Sequence, residues 1–235
     1  MTEPNELQRL YLDLTTPHVA DAIMRLGLPV RQAPASVTAL WQDTHLVGRV
    51  LPAQHTGSVD AFLEAIEHPA RGDVLVVDNG GRDDEACVGD LVTLGAAQAG
   101  LAGIIIWGLH RDSRELRTIR LPVRRQGRLP AGPQRLDPQP ADAITTARVG
   151  QHPVTQEDFV LGDDDGVLLL PLERAADIAE TAAAIRDTER RQAAHMRTGR
   201  SLREQARFIE FLTAREADGI TFREHLRAIG GEIEE

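Results

Sequence analysis

Four charged residues near the middle of the chain have the types and spacing that metal-assisted acid–base chemistry requires. They are Asp90, Arg111, Asp112 and Glu115, and Gly89 precedes the first of them. A carboxylate can hold Mg²⁺ together with waters and substrate oxygens, because this cation prefers oxygen ligands and keeps several of its waters. A guanidinium fork can face developing negative charge or bridge a carboxylate. The ordinary alternatives are that Asp112 caps a helix and that Arg111 forms a structural ion pair.

The flanking sequence predicts the elements that would position these residues. Apolar residues at helical spacing predict a helix over 89–100, with a glycine at each end. The run GIIIWG at 103–108 predicts a strand buried on both faces, and DVLVVD at 73–78 predicts another. A strand, a helix and a strand in this order join parallel neighbours, so the helix start and the end of the second strand meet at one sheet edge. Asp90 and Arg111–Asp112 are therefore predicted neighbours, at an edge where open α/β sheets bind ligands.

The spacing D-x20-R-D-x2-[ED] formed by the four residues resembles the signature of the class II pyruvate aldolases. Those enzymes cleave 4-hydroxy-4-methyl-2-oxoglutarate and 4-carboxy-4-hydroxy-2-oxoadipate, and they share the RraA-like superfamily with the regulator of ribonuclease activity A. The resemblance runs from Thr16 to about Pro171, through TPHVADAIMRLG, GDVLVVDNGG and LGDDDGVLLLP. It implies an α/β fold, a swivelling phosphohistidine-domain-like sandwich of three layers, which assembles as a homotrimer or homohexamer with sites between subunits.

The resemblance also implies an activity and a cofactor. The chain is expected to cleave 4-hydroxy-2-oxo acids to pyruvate with Mg²⁺, Mn²⁺ or another divalent cation, and to decarboxylate oxaloacetate by the same enolate stabilisation. Asp112 would hold the cation, and Arg111 would face the ketone oxygen of the pyruvoyl group. Glu115 would hydrogen-bond waters of the cation, or would be an ordinary solvated glutamate.

The start of the predicted helix would bind the carboxylate of the pyruvoyl group. The backbone amides of Asp90, Leu91 and Val92 are the candidates, since the first N–H groups of a helix lack intrahelical partners. Gly89 would let the substrate approach closely. The Asp90 carboxylate would orient a water that exchanges a proton with the methyl carbon, or would be an aspartate favoured by the helix dipole alone.

Four further residues bear on the completeness and the substrate range of the site. Asp21 and Glu189 are the nearest matches to acidic residues that a neighbouring subunit contributes in the resembled family, and a solvated helix face is the favoured alternative for Glu189. Trp107 and His110 replace residues that are more frequent in that family, which leaves the substrate range open. Strand alternation predicts that His110 and Arg111 point in opposite directions, with His110 as a packing residue.

Composition excludes several classes of function. The 26 basic residues are all arginines. Without a lysine the chain cannot form a Schiff base with a ketone, so an aldolase built on it must polarise the carbonyl with a metal. A net charge of −10 and an aromatic content of 3% argue against a nucleic-acid partner. The single cysteine, Cys87, and the lack of an apolar run of membrane-spanning length predict a cytoplasmic protein with no membrane partner.

The chain is expected to form an RraA-like domain over 1–198 and a helical extension over 199–235 that packs on the domain or on a neighbouring subunit. Helices are predicted over 5–14, 16–27 with Thr16 as N-cap, 58–66 and 172–196, with a short one beginning at Asp112 or Ser113. Strands are predicted over 46–53, 123–126 and 145–149, and two more within 159–170 around an acidic turn. The segment RLPAGPQRLDPQPAD is predicted to be an irregular surface excursion.

A rival hypothesis gives the same fold no catalytic role. The chain would then be a regulator that binds ribonuclease E or another protein. Relatives of that kind can lack the aspartate after the arginine, whereas Asp112 is present here. The sequence therefore favours the lyase.

Overall fold

The structure is a computed structural model that describes residues 5–67 and 69–230. Its helices are α1 Glu6–Tyr11, α2 Thr16–Arg25, α3 Asp60–Ala65, α4 Asp90–Gln98, α5 Ser113–Ile119, α6 Ala175–Arg197, α7 Leu202–Gln205, α8 Phe208–Asp218 and α9 Phe222–Ala228. Its strands are β1 Thr38–Ala39, β2 Leu46–Gln54, β3 Val74–Asp78, β4 Ala86–Val88, β5 Gly103–His110, β6 Val123–Arg128, β7 Thr146–Val149, β8 His152–Thr155, β9 Asp158–Gly162 and β10 Val167–Pro171. A short 3₁₀ helix, Leu172–Arg174, leads into α6.

The centre of the main sheet is parallel. Within the described residues eight strands form this sheet, in the order β1-β6-β5-β3-β2-β9-β10, and β4 pairs with β5. Strands β2, β3, β5 and β6 run parallel to one another, and β9 lies antiparallel to β2. The predicted crossover is confirmed, because β3 and β5 are parallel neighbours with Val74 opposite Gly103 and Asp78 opposite Trp107.

The three isoleucines of β5 enter two different cores. Ile104 and Ile106 pack with Phe62 of α3 and with residues of α4 on one face of the sheet. Ile105 packs on the other face, with residues of the β7–β8 hairpin such as Val149. All three isoleucine side chains are fully buried. The strand is thus buried on both faces, as predicted, and the layers are helices, sheet and hairpin. The predicted α/β layered fold with a helical C-terminal extension is confirmed.

Helices α1, α2 and α6 form a separate core with strands β9 and β10. The Tyr11 hydroxyl donates to the Ala175 carbonyl at 2.6 Å, which ties α1 to the start of α6. The predicted N-cap of α2 was wrong by one residue, because Thr15 occupies that position. Thr16 instead donates from its backbone N–H and its hydroxyl to Asp163, each at 2.6 Å. The acidic turn between β9 and β10 therefore binds the start of α2.

The sequence does not predict three of the short strands. These are β1, β4 and β8, and each has four residues or fewer. A period of two cannot be read from so few positions, so pairing with a longer neighbour decides their conformation. Strand β4 matters most for function, since it leads directly into α4.

Helices α8 and α9 form a small aromatic cluster, and α7 connects it to the end of α6. The Phe211 ring lies 5.5 Å from Phe208 and 4.9 Å from Phe222, measured between centroids. Gln205 donates from its side chain to the Gln192 carbonyl of α6 at 3.3 Å. The division at residue 198 stays a prediction, as does packing on a neighbouring subunit, and the predicted stretch 231–235 lies outside the described residues. None of the helices in the described ranges is both long enough and apolar enough to cross a membrane.

Candidate active site

Two chain connections meet at the carboxyl edge of the parallel sheet. Strand β4 leads through Gly89 into α4, and β5 leads through Arg111 and Asp112 into α5. The backbone N–H of Arg111 donates to the Val88 carbonyl at 2.9 Å, so the two connections lie side by side. The structure therefore brings Asp90 and Asp112 together, as the crossover argument predicts, and the Asp90 N–H lies 3.3 Å from Asp112 Oδ2.

Asp112 occupies the N-cap position of α5, but its side chain does not cap that helix. Its backbone is left-handed, with φ 59° and ψ 40°, and the side chain makes no capping hydrogen bond to α5. The carboxylate points instead to the start of α4, where Oδ2 also lies 3.5 Å from Arg111 Nε. A left-handed aspartate is tolerated at a cost of about 1–2 kcal/mol, and such strain clusters at functional sites. The capping alternative therefore does not describe this side chain.

Gly89 is required by the space beside Asp112. Its backbone, at φ −128° and ψ −165°, is one that any residue adopts. A Cβ at this position, however, would lie 2.4 Å from Asp112 Oδ2 and 3.3 Å from Arg111 Nε. The missing side chain thus lets the Asp112 carboxylate and the Arg111 guanidinium lie close to the start of α4.

Arg111 lies beside Gly89 and Asp112, with half of its side chain exposed. The segment between β6 and β7 passes over it, because a Cβ on Gly132 would lie 2.9 Å from Arg111 Nη1. The segment predicted to be an irregular surface excursion thus passes over this edge of the candidate site. The Arg111–Asp112 separation of 3.5 Å is too long for a strong hydrogen bond, so the guanidinium is not held by a tight structural ion pair.

The amides at the start of α4 are only partly as predicted. Asp90 N–H faces Asp112 Oδ2, and Leu91 N–H donates to Asp90 Oδ1 at 2.8 Å. Two of the three predicted amides therefore have carboxylate partners within the chain, and the prediction that all three are free was wrong. The reason is electrostatic, since a helix start attracts whichever carboxylates are near. Val92, the third, is the first residue of α4 with a buried side chain.

The remaining predicted residues lie at three different places. Glu115 is exposed in the first turn of α5. Asp21 lies on α2 and Glu189 on α6, where Glu189 is 3.2 Å from His18 Nε2. These two helices belong to the core on the outer part of the sheet, so a single chain does not bring Asp21 or Glu189 to Asp112. Their role in an assembled oligomer stays a prediction.

His110 and Trp107 pack against other parts of the chain, whereas Arg111 is half exposed. His110 is fully buried, and its ring nitrogens lie 2.7 Å from the Gly127 carbonyl and 2.8 Å from Ser113 Oγ. Burial lowers the pKa of His110, so it stays neutral, as a packing residue would. Trp107 packs with the core beneath the β7–β8 hairpin and covers Gly81, where a Cβ would lie 2.6 Å from the ring.

A cation at this site would depend on one carboxylate. No group of three or more histidine, cysteine, aspartate or glutamate side chains suited to a metal occurs in the described part of the chain. Asp112 is 35% exposed, so it fits a hard cation that keeps most of its waters. Such a donor set favours Mg²⁺ or Mn²⁺ over zinc, which prefers closed nitrogen and sulfur sites. Cys87 is unsuitable as a ligand, since burial raises its pKa to about 12.

A buried polar network beside the site was not found by sequence reasoning. Arg135 donates from Nε to both carboxylate oxygens of Glu85, at 3.1 and 3.2 Å, and from Nη2 to Asn79 Oδ1 at 3.1 Å. His55 Nδ1 lies 2.8 Å from the same amide oxygen, and burial lowers the pKa of His55. The network joins the loop before β4 to the segment after β6. The sequence gives one hint of it, the charge-rich loop NGGRDDE at 79–85.

Comparison with known proteins agrees with this fold. The family model described as RraA-like, Aldolase/RraA, matches residues 16–169. The chain belongs to the RraA-like family. The matched range includes all of β2 to β9 and the residues of the candidate site.

Three relatives illustrate the range of this family. Protein DlpA of Legionella pneumophila is 29% identical over 215 residues, which is 88% of this chain and 34% of DlpA, so the chain spans about a third of that relative. A protein of Halalkalibacterium halodurans named "Putative 4-hydroxy-4-methyl-2-oxoglutarate aldolase" is 26% identical over 63% of this chain and 70% of its own length. The crystal structure of Streptomyces coelicolor RraAS2, described as an unusual member of the RNase ES inhibitor RraA protein family, has a TM-score of 0.68. It is 26% identical and covers 81% of this chain and 96% of its own.

Proposed function

We propose that this chain is a divalent-metal-dependent class II aldolase that cleaves 4-hydroxy-2-oxo acids and releases pyruvate. The observation that carries the proposal is the Asp112 carboxylate, which leaves its own helix uncapped and lies against Gly89, Arg111 and the start of α4. The name of the Halalkalibacterium relative supports the same substrate class. The absence of lysine from the whole sequence excludes the alternative aldolase chemistry through an imine.

Each group of this candidate site has a proposed role that matches its chemistry. Asp112 would hold a Mg²⁺ or Mn²⁺ ion, which when bound supplies a Lewis acid for the 2-oxo acid. Arg111 would stabilise negative charge on the ketone oxygen, which develops as the C3–C4 bond breaks. The start of α4 would hold the carboxylate, with the substrate replacing Asp112 Oδ2 beside the Asp90 N–H. Asp112 must rotate away from that amide to do so, and its contact at 3.3 Å is weak enough to exchange.

The proposed cleavage moves two protons and one electron pair. The C4 hydroxyl loses its proton to a base, C4 becomes a carbonyl, and the electron pair of the C3–C4 bond passes to the pyruvoyl fragment as an enolate. Asp90 would then direct a proton to C3, which yields pyruvate. Loss of CO₂ from oxaloacetate produces the same enolate, so oxaloacetate decarboxylation is expected as a second activity.

The direct test measures pyruvate release from 4-hydroxy-4-methyl-2-oxoglutarate, in an assay that couples the reduction of the released pyruvate to the oxidation of NADH. We expect turnover with Mg²⁺ or Mn²⁺, its loss on chelation with EDTA, and its return when the cation is restored. The variant Asp112→Asn should be inactive, and its matched control Asp83→Asn, an exposed aspartate in the loop before β4, should be active. Turnover that survives EDTA would overturn the mechanism.

A second candidate function is a non-catalytic regulator of a ribonuclease or of another protein. It is favoured by one observation, the likeness to a structure described as belonging to the RNase ES inhibitor family. If tight ribonuclease binding were found and Asp112→Asn left it intact, with no pyruvate release from any 2-oxo acid, this function would replace the aldolase.

We expect the enzyme to be a homotrimer or homohexamer, which sedimentation equilibrium would measure. Substitutions of Asp21 and Glu189 would then test whether these residues contribute to the site of a neighbouring subunit.

A further inference from the structure

A cavity of about 410 Å³ opens next to the candidate active site. Its lining comes from the loop before β4 and from the segment after β6, namely Arg82, Asp84, Glu85, Ala131, Gly132, Gln134 and Arg135. Gly132 also lies against the Arg111 guanidinium, so one residue is common to the cavity wall and to the surroundings of the place proposed for the pyruvoyl group. Small-molecule sites have volumes of about 300–1,000 Å³, so there is room for the rest of a substrate.

The two arginines that line this cavity differ in how firmly they are held. Arg135 is committed to the protein, since its donors reach Glu85, Asn79 and Asp137 and its side chain is 22% exposed. It fixes the segment after β6 to the loop before β4. A ligand could not recruit this guanidinium without breaking a buried ion pair, which is costly.

Arg82 is held much more loosely. Its main partner is Asp84, two residues along the same loop, with Nε and Nη2 donating at 2.9 and 2.5 Å. Both side chains are exposed, at 41% for Arg82 and 61% for Asp84, and Glu85 lies further away at 3.6 Å. An exposed pair of this kind contributes little to stability. The paired geometry nevertheless shows that the Arg82 fork can bind a carboxylate in two-point fashion at the cavity wall.

We propose that Arg82 recognises the distal carboxylate of a dicarboxylic 2-oxo acid, and that Asp84 occupies this position in the free protein. The inference rests on the proposed function, because it assumes that the pyruvoyl end lies at Arg111 and Asp112. Arg82 would account for recognition of the second carboxylate beyond C4, which the assay substrate 4-hydroxy-4-methyl-2-oxoglutarate also carries. Arg82 sets this specificity, while Arg135 acts as a positioning residue.

The test compares two 2-oxo acids of the same length. In 2-oxoglutarate C5 is a second carboxylate, whereas in 2-oxopentanoate C5 is a methyl group. Their dissociation constants are measured by titration calorimetry with Mg²⁺ present, which requires no turnover. We expect the wild-type protein to bind 2-oxoglutarate about tenfold more tightly, and Arg82→Gln to remove that preference while binding 2-oxopentanoate as before. Asp84→Asn should strengthen 2-oxoglutarate binding, because the competing carboxylate is gone.

Two matched variants control for charge alone. Arg71→Gln removes an exposed arginine before β3, whereas the loop that carries Arg82 follows the other end of that strand. Asp83→Asn removes the charge of the aspartate that precedes Asp84. Both should keep the wild-type preference, and all four variants should unfold at the wild-type temperature. If the wild-type protein binds the two acids equally, or if Arg82→Gln keeps the preference, this inference alone is wrong. If neither acid binds with Mg²⁺, the proposed function is wrong as well.

Discussion

The substitution Gly89→Ala should separate activity from stability. The added Cβ would lie 2.4 Å from Asp112 Oδ2, whereas ordinary contacts begin at 3.4 Å, so the carboxylate must move by the difference, 1.0 Å. The substrate carboxylate, proposed to replace Asp112 Oδ2 beside the Asp90 N–H, would meet the same methyl group, and misplacement of a reacting group by about 1 Å can reduce a rate about 100-fold. We therefore expect pyruvate release to fall by about two orders of magnitude and Mg²⁺ to bind more weakly.

The same substitution should change stability little. Losing the weak contact between Asp90 N–H and Asp112 costs about 0.5–1.5 kcal/mol, and alanine is a poorer N-cap than glycine by about 0.5–1 kcal/mol. The extended backbone of Gly89 suits alanine, which gains about 0.4–1 kcal/mol through the unfolded state. The net loss in the free energy of unfolding should thus be about 1 kcal/mol, measured by urea denaturation.

Gly95→Ala is the matched control, since it adds the same methyl group to the same helix. Its Cβ would meet Ile66 Cδ1 at 3.5 Å, an ordinary contact. Alanine in a helix interior is more stable than glycine by up to about 1 kcal/mol. This variant should therefore gain stability and keep its activity. Full pyruvate release and unchanged Mg²⁺ affinity in Gly89→Ala would refute the reasoning.

Three further predictions address charge and burial. Arg111→Lys should lower kcat/KM by about 100-fold without changing the unfolding temperature, because it removes a planar donor at an exposed position; steady-state kinetics that match wild type would argue against its role. The lowered pKa values of His55 and His110 mean that the unfolded chain takes up protons first as the pH falls below the ordinary value of 6.5. The free energy of unfolding that these two neutral histidines contribute should be fully present above that pH and should be lost below it. Urea titrations at several pH values measure this, and His110→Gln should show a smaller decline. Glu85→Ala removes the buried carboxylate partner of Arg135 and leaves only the exposed Asp137, so it should lower the free energy of unfolding by about 2 kcal/mol in the same titrations. A change near zero would show that the network is not structural.

The sequence predicts the proximity of Asp90 and Asp112, because local patterns and one topological rule determine it. Three consecutive isoleucines bounded by glycines have one plausible environment, a strand buried on both faces, and β5 has it. Once β3, α4 and β5 follow in order, the handedness and neighbour rules place Asp90 beside Asp112. No side-chain detail is needed for that step.

What the sequence does not predict depends on contacts between distant segments. The left-handed backbone of Asp112 and the direction of its carboxylate are set by the packing of β4 beside β5, and β4 is too short to recognise. Glu85 and Arg135 are 50 residues apart, and no periodicity links them. Asp163, 147 residues from Thr16, likewise moves the α2 cap to Thr15. The acidic residues expected from a neighbouring subunit depend on assembly, which a single chain does not contain.

The central claim is that Asp112 holds a cation beside Arg111 and the start of α4. A crystal structure of the protein with Mg²⁺ and oxalate, an analogue of the pyruvate enolate, tests it most directly. We predict a Mg²⁺ ion within about 2.0–2.1 Å of an Asp112 oxygen, with oxalate against the Asp90 N–H and the Arg111 guanidinium. Oxalate and Mg²⁺ bound elsewhere, with Asp112 still on the Asp90 amide, would contradict the account.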